Sequence, residues 1–140
     1  MKKNLLKSKK NNHQLNSLIL VGLGGALGAS LRFGIGQFFK NYFFHNYFFI
    51  STFIVNIIGC FFIGYLISVT QNKNISQDFI KYFFIIGILG SFTTFSTFSI
   101  EAIEMISENK TSLALIYIFS SLFLCLLFTF IGLNFNKIIS

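Results

Sequence analysis

The sequence predicts an all-α membrane protein of four transmembrane helices, and three observations carry that prediction. Hydrophobic residues make up 54% of the chain and charged residues only 11%, whereas a soluble domain carries about 25% charged residues. The apolar residues fall into four runs of spanning length, about 20 residues each. The third run also holds a concentration of hydroxyl side chains that no ordinary lipid-facing helix wants. A length of 140 residues excludes a large catalytic module and fits a single domain. The composition leans towards Phe 21, with Trp 0 and Pro 0, so no single Phe carries weight alone.

The elements follow in chain order. Residues 1–16, MKKNLLKSKKNNHQLN, form a polar, basic tail. The run behind it is too long for the apolar region of a cleaved signal peptide and contains Arg32, so the tail reads as the flank of an uncleaved anchor and not as a nucleic-acid arm. The predicted spans are about 17–39, 47–69, 79–103 and 112–135, since backbone groups in hydrocarbon must be satisfied within the segment. An even number of spans puts the tail, the middle connection and the C-terminus on one side. That side holds Lys2, Lys3, Lys7, Lys9, Lys10, Lys73, Lys81 and Lys137, against Lys40 and Lys110 on the other. The positive-inside rule then places both termini in the cytoplasm, with the tail lysines deciding the orientation.

In the first span, Gly24, Gly28, Arg32 and Gly36 follow at i+4 along one stripe. The glycines read as a packing seam. A charge deep in a span costs about 2.5–3.5 kcal/mol on insertion scales, so Arg32 is expected to meet a wet vestibule or a polar partner. In the second span Thr52, Asn56 and Gly59 share a face, and Asn56 serves either as an interhelical hydrogen-bond device or as a pathway donor. Cys60 and Cys125 lie inside apolar runs, form no ligand spacing, and imply neither a disulfide framework nor a zinc site.

The third span is the most specific. GILGSFTTFSTFSIEAIE gathers Gly87, Gly90, Ser91, Thr93, Thr94, Ser96, Thr97 and Ser99, with Phe92, Phe95 and Phe98 interleaved at i+3. Adjacent Gly, Ser and Thr favour local unwinding, which membranes tolerate only where protein or a water-filled cavity covers it. Exposed carbonyls at such a break suit a desolvated cation, while neutral donors and Phe ring edges suit a small anion. Glu101 and Glu104 come late in the span and read as interfacial charges, with Glu101 placed to sit at a pore mouth. In the fourth span Tyr117, Ser121 and Cys125 form an i+4 row, either a buried polar seam or a continuation of an anion path.

GGALGASLR, TFIVNIIG and GSFTTFSTFSIE, in this order, closely resemble the CrcB/Fluc family of small fluoride channels across residues 17–135. The resemblance implies a channel domain at 17–140, subunits paired in antiparallel, dual-topology dimers, two fluoride pores, and a structural sodium ion between broken third helices. It assigns the sodium to the backbone carbonyls of Gly90 and Thr93, the fluoride-facing ring edges to Phe95 and Phe98, and the pore amide to Asn56, with Thr52 one turn before it. Tyr117 and Ser121 match the polar track of the fourth helix, and Arg32 and Glu101 match vestibule positions. Cys125 departs from the hydroxyl expected in that track. The orienting tail also departs from a self-pairing antiparallel dimer, unless the subunit joins an oppositely oriented relative.

The function implied is a plasma-membrane channel that lets fluoride leave the cytoplasm, with no enzyme activity and no nucleic-acid partner. The competing readings are a small four-span multidrug or metabolite transporter, which needs an intramembrane carboxylate for proton coupling, and a noncatalytic assembly subunit held by its glycine seams.

Overall fold

The computed structural model describes residues 2–42, 49–71 and 77–139, and all the regular structure among them is helical. Helix α1 is Lys2–Tyr42 and α2 is Phe49–Gln71. Residues 77–92 form a single rod, α3. It begins as Gln77–Phe79, widens over Ile80–Leu89 into π-type winding, and closes with the turn Gly90–Phe92. The Gly90 N–H reaches back to the Ile85 carbonyl, the five-residue step of that wider winding. Helix α4 is Phe95–Ser107 and α5 is Thr111–Ile139.

Among the described residues, four segments are long and apolar enough to cross a membrane: His13–Tyr42, Phe49–Gln71, Gln77–Ser107 and Thr111–Phe135. They coincide with the spans read from the sequence, although residues 47 and 48 of the second, like Lys73, lie outside the described residues. Residues 2–16 of the basic tail continue α1 as helix, so α1 begins well before its apolar run. His13 Nε2 lies 2.9 Å from Asp78 Oδ2, which sets the start of the first span beside the start of the third.

Two seams organise the packing. On one, α1 lies along α3. A Cβ on Gly24 would run into the Phe83 carbonyl, and one on Gly28 into the Ile88 carbonyl, so only glycine permits this approach. A Cβ on Gly36 would meet nothing within 4 Å among the described residues, and the stripe read from the sequence works as a seam in its first half only. On the other seam, α2 and α5 run side by side, with Gly64 against the Thr129 carbonyl and Gly132 against the Phe61 carbonyl.

The core gathers where α4 meets α5 and the start of α2. Phe98, Ala102, Met105, Ala114 and Tyr117 are buried there, with Phe49 and Phe53 packed against them. The tight turn into α5 uses Asn109 at φ 61°, with Lys110 N–H donating to the Met105 carbonyl at 2.9 Å and Asn109 N–H to Ile106 at 3.1 Å. This is a Schellman cap, in which asparagine takes the left-handed position that usually goes to glycine. Elsewhere large apolar side chains face outward, among them Leu23, Leu27 and Leu31 on α1 and Phe119, Phe123 and Phe130 on α5. Outward apolar faces of this extent are what lipid-facing helices present.

Candidate functional site

The polar side chains converge on residues 93 and 94, where helical dihedrals stop and then resume. Thr93 (φ −75°, ψ 153°) and Thr94 (φ −147°, ψ 117°) are extended, and each end they create is capped. Below them, Thr93 returns both its N–H and its hydroxyl to the Leu89 carbonyl, at 3.1 and 2.9 Å. Arg32 Nε donates to the Ser91 carbonyl at 3.2 Å, bringing a cation to the C-terminal end of α3. Above them, Thr94 Oγ1 is the N-cap of α4 and accepts from the Thr97 N–H at 3.2 Å.

Asn56 spans the gap from α2. Its Nδ2 donates to the Thr94 carbonyl at 3.1 Å, and its Oδ1 accepts from the Thr94 N–H at 2.8 Å. Gly59, one turn on, lets α2 come close enough, because a Cβ there would collide with the Thr93 methyl. These bonds redirect donors. In an unbroken helix the Thr94 N–H would bond the Gly90 carbonyl and the Thr97 N–H the Thr93 carbonyl. Here those N–H groups are held by Asn56 and by the Thr94 hydroxyl, so both carbonyls have lost their helical donors.

A second cluster lies two turns further along α4. Glu101 is 3% exposed. Thr52 Oγ1 donates to its Oε1 and Tyr117 OH to its Oε2, each at 2.7 Å, which ties α2 and α5 to α4. The Tyr117 ring packs on Phe98 at 5.1 Å and Phe49 at 5.3 Å between centroids, and Phe98 in turn meets Phe95 at 5.4 Å. Glu101 is therefore a bonded group inside the fold, while Glu104 is exposed as an interfacial charge would be.

Two cavities flank the extended residues. One, of about 210 Å³, is lined by Arg32, Lys40, Thr52, Thr94 and Glu101 among others. The other, of about 290 Å³, is lined by Asn56, Thr93, Thr94, Phe95, Phe98 and Ser121, together with both cysteines. Thr94 belongs to both walls. Ser121 Oγ is buried, its residue only 5% exposed, and it has no hydrogen-bond partner among the described residues. Thus Arg32, Thr52 and Glu101 share the first cavity; Asn56, Thr93, Phe95, Phe98 and Ser121 share the second. Tyr117 lines neither of these cavities and acts on Glu101 and the rings, and Gly90 lies apart from both, on an exposed face.

Thr94 and Lys40 were not singled out from the sequence as site residues. Thr94 was one of many hydroxyls in its segment, and only the pairing with Asn56 distinguishes it. Lys40 entered only in the charge count that set orientation.

Four apolar spans with buried polar side chains meeting at non-helical backbone define a multi-pass membrane protein with an internal polar region. The family model described as CrcB-like protein, Camphor Resistance (CrcB), matches residues 19–133, and the chain belongs to that family. It is 40% identical over 127 residues to the fluoride-specific ion channel FluC of Campylobacter hominis, covering 88% of this chain and 97% of that protein. It is similarly 41% identical over 116 residues to FluC of Campylobacter fetus, covering 83% and 90%, and 39% identical over 114 residues to FluC of Thermus thermophilus, covering 81% and 88%.

Proposed function

We propose that this chain is a subunit of a fluoride-selective ion channel that lets fluoride leave the cytoplasm down its electrochemical gradient. The observation that carries the reading is the wall around Thr94, where neutral donors and ring edges border a cavity with no fixed cation. Asn56 Nδ2 has two hydrogens and its bond to Thr94 uses one. Ser121 contributes a buried hydroxyl without a partner. Phe95 and Phe98 bring rings whose positive edges attract an anion weakly enough to release it. Arg32 and Lys40 border the other cavity, where positive charge raises the local anion concentration at an entrance.

Relatives at about 40% identity over nearly their whole length carry the name of fluoride-specific channels, which supports the same substrate here. The transporter alternative needs a carboxylate free to exchange protons, and Glu101 has both oxygens engaged by hydroxyls.

The unit is an antiparallel dimer in the plasma membrane. The extended pair Thr93–Thr94 is the break of the third membrane helix, and a second subunit covers its exposed side. The carbonyls of Gly90 and Thr93, released from their helical donors, fit a structural sodium ion as hard oxygen ligands, two from each subunit. Such an ion would neutralise bare carbonyl dipoles at the interface. The tail lysines hold both termini of this subunit in the cytoplasm, so its partner is either a copy inserted the other way or an oppositely oriented relative.

Expression in a fluoride-sensitive bacterium tests the reading. The chain should restore growth in fluoride medium, with a paralogue supplied if it does not pair with itself. Sensitivity unchanged in both arms would refute it.

A further inference from the structure

Cys60 and Cys125 are distant in sequence and meet in the fold. Helices α2 and α5 run in parallel, and the contact of Gly64 with the Thr129 backbone fixes their register. One turn earlier on each helix stand Cys60 and Cys125, so the seam that brings the backbones together also brings the thiols together. Both cysteines stand on the wall of one cavity, and the Thr129 hydroxyl donates to the Cys125 carbonyl at 2.9 Å, one turn along the same seam. Both are free, half-buried, and line the 290 Å³ cavity beside the unpartnered Ser121 hydroxyl.

We propose that Cys60 and Cys125 form a two-coordinate binding site for a soft divalent d10 cation, the mercuric ion, and that an ion bound there closes the cavity. Soft thiolates select soft cations. Zinc, which takes four ligands, finds no set here, because no group of three or more His, Cys, Asp or Glu occurs among the described residues. Charge selects further. Two thiolates neutralise a divalent ion, whereas a monovalent ion would leave net negative charge within the membrane. In forming the site each thiol gives its proton to water, two S–H bonds are replaced by two Hg–S bonds, and no electrons are transferred. The metal then lies one turn from both Asn56 and Ser121, across the donors proposed to pass fluoride. The closure half of the proposal rests on the channel reading, while the binding half does not.

Purified full-length chain treated with mercuric chloride and then challenged with glutathione is read by native mass spectrometry. The expected result is one mercury per chain, with loss of two protons, retained against the competitor. Cys60→Ala and Cys125→Ala should each lose that retention by about 100-fold, because only a chelate benefits from the effective concentration of its second thiol. Two mercury ions per chain, or single variants that hold mercury like the parent, would overturn the site. In liposomes, mercuric chloride should stop fluoride efflux by the parent, and each variant should keep most of its own untreated rate. Mercury retained with efflux undiminished would overturn the closure. Absence of efflux before mercury is added would instead count against the channel, and the mass measurement would still decide the site.

Discussion

Asn56 replaces a turn of helix for Thr94, donating to its carbonyl at 3.1 Å and accepting from its N–H at 2.8 Å. One side chain thus satisfies both backbone groups of a residue that has left helical geometry inside a membrane span, where lipid offers no partner. The same pairing turns the Thr94 N–H away from Gly90 and leaves Asn56 on the wall of the 290 Å³ cavity.

Asn56→Leu removes both bonds. Each backbone group left unpaired costs about 1–3 kcal/mol, so the variant should lose most of its thermal stability margin in detergent and all fluoride flux. Asn56→Asp keeps the acceptor and loses the donor, and should unfold between parent and Leu variant while its added charge still stops flux. A Leu variant as stable as the parent would show that Asn56 does not hold the Thr94 backbone.

Glu101 couples Thr52 to Tyr117 through separate oxygens. In a double-mutant cycle, Tyr117→Phe with Glu101→Gln should show a coupling of about 0.5–3 kcal/mol, as contacting residues in one network do. The readout is unfolding free energy in detergent, and additive effects would argue against the bond.

The glycine stripe of α1 divides into contacting and open positions. Gly28→Ala should destabilise the protein by about 1–3 kcal/mol, the usual cost of overpacking, because the new Cβ meets the Ile88 carbonyl. Gly36→Ala should be neutral or slightly stabilising, since nothing lies within 4 Å and alanine is the better helix former. Melting temperatures of the two variants in the same detergent make the comparison, and equal destabilisation would contradict this packing.

Phe98 is 8% exposed and packed on Tyr117, while Phe95 is 73% exposed. Phe95→Ile and Phe98→Ile keep apolar bulk and lose the ring edge. Both should cut fluoride efflux strongly while the protein elutes as the parent does in size-exclusion chromatography. Full efflux in the double variant would remove the rings from the mechanism.

Much of this architecture is legible in the sequence because the membrane simplifies it. Spanning length alone located the four apolar segments, and the hydroxyl-rich stretch 90–99 pointed to the part of the third span where Thr93 and Thr94 are extended. What periodicity cannot supply is pairing between helices. Nothing local couples Asn56 to Thr94 or Thr52 to Glu101, and the stripe that holds Gly24 and Gly28 looks the same at Gly36, which borders a cavity and not a packed backbone. The cysteines show the limit most clearly. Ligand spacing along one chain segment is absent, yet the parallel register of α2 and α5 supplies the pair.

The central claim is selectivity for fluoride by neutral donors and ring edges. The most direct measurement is anion efflux from liposomes containing the purified protein, with the oppositely oriented relative included if the chain does not pair alone. Fluoride should leave far faster than chloride across the same membranes. Equal rates for the two anions, or no efflux of either, would contradict it.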